Sequence, residues 1–104
     1  MPPDLSLLRQ CFAERTYLLT AHASDRAVQR GIVSHEIEEV IASGEVIEDY
    51  PQDKYGPTCL ILGYTRAGRA LHVHVSYPPA VKVITVYEPA LDQWEEGFRV
   101  RKPR

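Results

Sequence analysis

Cysteine is scarce in this sequence: Cys11 and Cys59 are the only two, far apart and in no metal-ligand spacing. That argues against a disulfide framework and against structural zinc, and for buried free thiols. No apolar run approaches the roughly 20 residues that cross a bilayer, so no membrane partner is expected. Met1-Pro2-Pro3-Asp4 has neither the basic nor the apolar region of a signal peptide, and the expected address is cytoplasmic. There is no P-loop, no Gly-rich dinucleotide turn and no nucleophile elbow, so no nucleotide cofactor is expected. Nor is basic charge in excess. Twelve Lys and Arg face fourteen Asp and Glu for a net charge of -2, which argues against a strongly basic nucleic-acid binder.

What is present fits one globular domain over residues 1–104, since two cores would each be too small to stand alone. Hydrophobic residues make up 44% of the chain, enough to exclude a mainly disordered one. The near-balanced charge is segregated. Gly31 to Asp53 holds seven carboxylates and no Lys or Arg, whereas Lys54 to Arg104 holds eight basic residues against four acids. Two solvated faces of opposite sign would look like this, and so would an anion-facing surface.

Asp4 caps a first helix of about ten residues with Leu5, Leu8 and Phe12 on one face. A short extended piece, Tyr17 to Leu19, leads to Thr20, the cap of a second helix over Ala21 to Arg30 that Gly31 ends in the left-handed region. Ser34 is read as the cap of a third helix, His35 to Ser43, with Ile37, Val40 and Ile41 inward. Glu45 to Tyr50 reads as a strand. The apolar period then becomes two, giving strands over Thr58 to Tyr64, Ala70 to Ser76 and Val81 to Glu88 with short, antiparallel connections. The tail from Leu91 reads as a short helix and a basic end, with Trp94 and Phe98 either stapling it to the core or forming an apolar patch for a partner. The fold class is α+β, with N-terminal helices packed on an antiparallel sheet of about four strands.

The candidate chemistry lies in two places. On the second helix His22, Arg26 and Arg30 recur every four residues along one stripe, a set suited to phosphate unless the arginines pair with the acidic third helix. In Leu71-His72-Val73-His74-Val75 the two histidines share a strand face. They suit acid–base work, a metal pair completed by His22 or a carboxylate, or purely structural hydrogen bonding. Thr85 and Tyr87 share a face of the last strand with Val81 and Val83, and the sequence does not fix whether that face meets the histidines. Imidazoles, a hydroxyl, a phenol and guanidiniums brought together would suffice for metal-free RNA cleavage, with a base for the 2′-OH, an acid for the leaving oxygen and cations for the phosphorane.

The ordered series His22-Ala23-x-x-Arg26-x-x-x-Arg30-Gly31-Ile32, Glu38-Glu39-Val40, Gly44-Glu45-Val46-Ile47, Glu48-Asp49-Tyr50-Pro51, Gly68-Arg69-Ala70-Leu71-His72-Val73, Val83 to Pro89 and Trp94 to Phe98 resembles the family called domain of unknown function 4258. The resemblance runs from about Leu19 to Lys102, and that family is similar to RelE-, ParE- and BrnT-type toxins. It implies a RelE-like core over 17–90, an extra N-terminal helix within 1–16 and a tail over 91–104. It further implies a toxin-like endoribonuclease, metal-free and without cofactors, with RNA as substrate and a small zinc-finger antitoxin as partner. Carried over by position, His22, His72, Thr85 and Tyr87 are the catalytic set, and Arg26 and Arg30 bind phosphate. His74 lies outside the motif and is left out of that set. The other expectations are a non-catalytic interaction module, in which His22 and His72 would be buried or far apart, and a ParE-like gyrase-directed toxin.

Overall fold

The computed structural model describes residues 4–54 and 56–103. It has three helices and five strands: α1 (Leu5–Ala13), β1 (Leu18–Leu19), α2 (Ala21–Arg30), α3 (Ser34–Ser43), β2 (Glu45–Tyr50), β3 (Thr58–Tyr64), β4 (Ala70–Ser76) and β5 (Lys82–Tyr87). The fold is α+β, as read, but the sheet has five strands in the order β1-β5-β4-β3-β2 and is mixed. The extra strand is the two-residue β1, too short to register as a strand by pattern. It lies parallel to β5, where the Leu18 and Thr20 amides donate to the carbonyls of Val81 and Val83.

Local chemistry explains the helix ends. The Asp4 carboxylate accepts from the Leu7 amide and the Thr20 hydroxyl from the Ala23 amide, each satisfying an orphan donor of a first turn. Gly31, at φ 65°, closes α2 in the left-handed region that a side chain would resist. The start of α3 departs from expectation. Ser34 is already helical, Val33 is the cap, and the Glu36 carboxylate reaches back to the Val33 amide at 3.0 Å. The Glu36 carboxylate, and not the Ser34 hydroxyl, caps the first turn.

All three helices cover one face of the sheet. Leu8 and Phe12 of α1, Ala23 and Ala27 of α2, and Ile37, Val40 and Ile41 of α3 share a buried cluster with Cys59, Ile61, Leu71, Val73, Val75, Val83 and Val86. Gly63 lets α3 approach β3 closely, since a Cβ there would lie 2.4 Å from the Val40 carbonyl oxygen. α1, the part outside the motif series, packs on α3, and the Arg9 guanidinium donates to the carbonyls of Ile41 and Gly44.

The opposite face carries the tail, which is not a helix. It is a run of turns closed by a bridge between Trp94 and Arg101, with Phe98 at φ 61°. The Arg99 and Arg101 guanidiniums bind the Glu45 and Glu48 carboxylates of the edge strand β2, and Trp94 is buried. The basic end is thus partly neutralised by the acidic segment, although Arg104 lies outside the described residues. No described helix is long and apolar enough to cross a membrane.

Candidate functional site

The helix-free face is set by register. Antiparallel pairing places Leu62 opposite His72 and His72 opposite Tyr87. A second row runs Glu48, Leu60, His74, Thr85 across β2, β3, β4 and β5. The His face and the Thr/Tyr face therefore coincide. Val83 does not share that face, contrary to the strict alternation assumed. The β4–β5 register shifts between His74 and Val75, so Ile84 is an extra residue in β5 and Thr85 turns away from the core that Val83 occupies.

The second row opens into a cleft of about 690 Å³ lined by Tyr50, Pro51, Asp53, Leu60, His74, Thr85, Tyr87 and Arg101, among others. His74 is held in one tautomer. The Thr58 hydroxyl donates to Asp53 Oδ2 at 2.7 Å, so its oxygen accepts the Nε2–H of His74 at 2.8 Å. Nδ1 keeps its lone pair and has no hydrogen-bond partner among the described residues. Burial lowers the His74 pKa against the opposing pull of Asp53, leaving a neutral imidazole at pH 7. An imidazole oriented by a hydroxyl and, behind it, a carboxylate has the wiring of a general base.

His72 is wired differently. It is fully buried, with its ring against Trp94 and Tyr87. Its Nε2–H donates to the Phe98 carbonyl at 2.9 Å, so Nδ1 accepts from the Tyr87 hydroxyl at 3.1 Å. Desolvation lowers its pKa and raises that of Tyr87, so both are neutral near pH 7. Arg101 presents its guanidinium to the cleft, held by Glu48 at 3.0–3.2 Å and stacked 4.6 Å over the Trp94 ring. Tyr50 donates to Glu48, and burial first, with that carboxylate second, pushes its pKa up to about 12.

Of the sequence-derived set, Thr85 and Tyr87 line this cleft and His72 stands behind Tyr87. Arg30 comes to the flank of Tyr87. It donates to the Val86 carbonyl at 2.7 Å and lines a hollow of about 390 Å³ with Tyr87, Glu88 and Gln93. His22 and Arg26 are exposed on α2, on the helix side of the sheet, and Arg26 bonds Gln29. The structure does not bring the exposed His22 and the buried His72 together, which is the arrangement expected of an interaction module, and neither α2 arginine pairs with α3. His74, left out of the motif set, is the imidazole the cleft contains. Its signal was the alternation with His72. Asp53, Thr58 and Arg101 had none, because only the folded chain joins a loop, a strand end and a tail. No group of three or more His, Cys, Asp or Glu able to hold a metal ion lies among the described residues.

No curated protein and no solved structure matches the chain. The family described as Domain of unknown function (DUF4258) matches residues 19–88, from β1 through the end of β5, and the chain therefore belongs to that family.

Proposed function

We propose that the helix-free cleft cleaves RNA without a metal ion, as a RelE-like, toxin-type endoribonuclease. The observation that carries this reading is the His74 imidazole, its Nε2–H anchored through Thr58 to Asp53, in a cleft with Thr85, Tyr87 and Arg101. Nδ1 of His74 takes the proton of the ribose 2′-OH as that oxygen attacks phosphorus. Asp53 then stabilises the imidazolium through Thr58. The P–O5′ bond breaks as Tyr87 turns its O–H from His72 Nδ1 to the departing oxygen and protonates it, leaving a phenolate that burial disfavours and that the Arg101 and Arg30 charges partly offset. Proton return from His74 through water restores both groups. Arg101 carries the developing phosphorane charge. In this reading His72 orients Tyr87, and His22 and Arg26 take no part in the chemistry.

The test is cleavage of RNA in EDTA at pH 6 to 8, with and without ribosomes, by the wild type and by His74→Ala. Loss of roughly 10²–10⁴-fold in the folded variant supports the reading. Wild-type protein that cuts neither free nor ribosome-bound RNA, or a His74→Ala variant that cuts at the wild-type rate, overturns it.

A second reading, a non-catalytic module that seats a small zinc-finger antitoxin or another protein, draws on the separation of His22 from the buried His72 and on polar groups of the cleft that are already engaged. Arg101 already has Glu48, and His74 stands 3.4 Å from Asp53. A partner that binds the cleft of a protein with no nuclease activity would favour it. DNA damage without RNA cleavage would point instead to a gyrase-directed toxin.

A further inference from the structure

The site described above ends at Asp53 and Thr85, but the surface does not. Lys54 and Ile84, the chain neighbours of those two residues, line a second cavity of about 650 Å³ with Tyr77, Pro78 and Lys82 among its walls. The β5 bulge produces this division: Thr85 faces the catalytic cleft, and the extra residue, Ile84, faces the second cavity. The two cavities are therefore consecutive along one strand and one loop. Their chemistry differs. The first has a carboxylate at each end, Asp53 and Glu48. The second has no acidic residue among its described lining residues, two lysines, and flat walls from the Pro78-Pro79 pair and from Tyr77, whose hydroxyl donates outside the lining to Asp49. Lys82 is exposed and forms no ion pair among the described residues.

From this we infer that the second cavity is a subsite for the nucleotide that adjoins the two flanking the scissile bond, taking its phosphate at Lys82 and Lys54 and its base against the Tyr77–Pro79 wall. The inference rests on the ribonuclease reading and narrows it. The substrate is an extended single strand bound across both cavities, and a dinucleotide fills only the first. Stacking on an aromatic face with a cation on the backbone is the sequence-tolerant way to hold a single strand. The arrangement also answers the net charge of -2, because affinity here comes from a local lysine pair and not from the whole surface.

The probe is a 2′-O-methyl RNA octamer, which lacks the attacking hydroxyl and so reports binding without cleavage. Its affinity is measured by fluorescence anisotropy at several salt concentrations. Lys82→Ala is expected to weaken binding roughly fivefold and to flatten the log–log salt dependence by about 0.7, the value of one single-strand phosphate contact. Lys82→Arg should restore both. With cleavable RNA, the same alanine variant should slow the octamer and leave a dinucleotide unchanged. Unaltered affinity and salt slope in Lys82→Ala overturn the subsite while leaving the nuclease reading intact. A cleavable octamer bound through Lys82 but never cut overturns the nuclease reading and the subsite with it, leaving a single-strand binding surface. Wild-type protein that does not bind the octamer overturns the subsite outright.

Discussion

His72 gives its Nε2–H to the Phe98 carbonyl at 2.9 Å, so a buried sheet residue joins the Arg99 and Arg101 ion pairs in fastening the C-terminal tail to the face carrying the cleft. The Trp94 ring packs edge-on against the same imidazole. His72→Ala removes the donor, leaves the carbonyl unsatisfied and opens a cavity, for an expected loss of about 3 kcal/mol in urea unfolding. Trp94 is the sole tryptophan. Its native-state emission should therefore move to the red as the tail loosens. An unshifted emission would show that the tail is held by other contacts.

Stability should fall as the solution is acidified below about pH 6.5, the ordinary histidine value. Both His72 and His74 have folded-state pKa values lowered by burial. The unfolded chain then takes up protons that the native one refuses, and stability rises with pH across this window. It is fully present above the unfolded value and is lost as pH falls toward the folded one. Urea midpoints at pH 7.0, 6.0 and 5.0 test this above the main carboxylate range. His72→Asn, which has no ionisable ring, should show a shallower fall.

The helical half was legible because its signals are local. Asp4, Thr20 and Gly31 announce caps, and Ile37, Val40 and Ile41 announce a buried stripe, so α1 and α2 appear within a residue of their expected places. The strand positions were legible for the same reason. The antiparallel pairing of β3, β4 and β5 was legible from their short connections, but register was not, since one extra residue at Ile84 reverses which face Val83 shares with Thr85, and alternation alone carries no count of bulges. β1 was legible only as an extended piece, Tyr17 to Leu19, and not as a sheet strand, because two residues show no period. The cleft escaped in greater part. His74 was visible as the face-mate of His72, but its anchors Thr58 and Asp53 and its neighbour Arg101 become adjacent only through tertiary folding.

Gly63→Ala is expected to cost about 1–3 kcal/mol although it adds a single methyl. The new carbon would meet the Val40 carbonyl oxygen at 2.4 Å and Val40 Cγ1 at 2.8 Å, and the backbone of α3 must move to admit it. Thermal or urea unfolding measures the loss. The helix layer and the cleft lie on opposite faces of the sheet, so on the proposed ribonuclease reading RNA cleavage per folded molecule should change little. A large drop in that specific activity would mean that α3 sets the shape of the cleft through β3.

Arg101 separates activity from stability most sharply. Its ion pair with Glu48 is more than half exposed on the arginine side, and such pairs contribute at most about 1 kcal/mol. Arg101→Ala should therefore unfold close to the wild-type midpoint. It nevertheless lines the cleft, its Nε and Nη2 fixed by two Glu48 oxygens and its guanidinium held over the Trp94 ring. If it stabilises a phosphorane, removing it should slow cleavage by roughly 10²–10³-fold, the loss typical of one preorganised charge donor. Arg101→Lys keeps the charge and loses the planar fork, and should recover only part of the rate. Cleavage that survives Arg101→Ala unchanged would leave the arginine as a tail clamp and shift the search for the phosphate cation to Arg30, on the other flank of Tyr87.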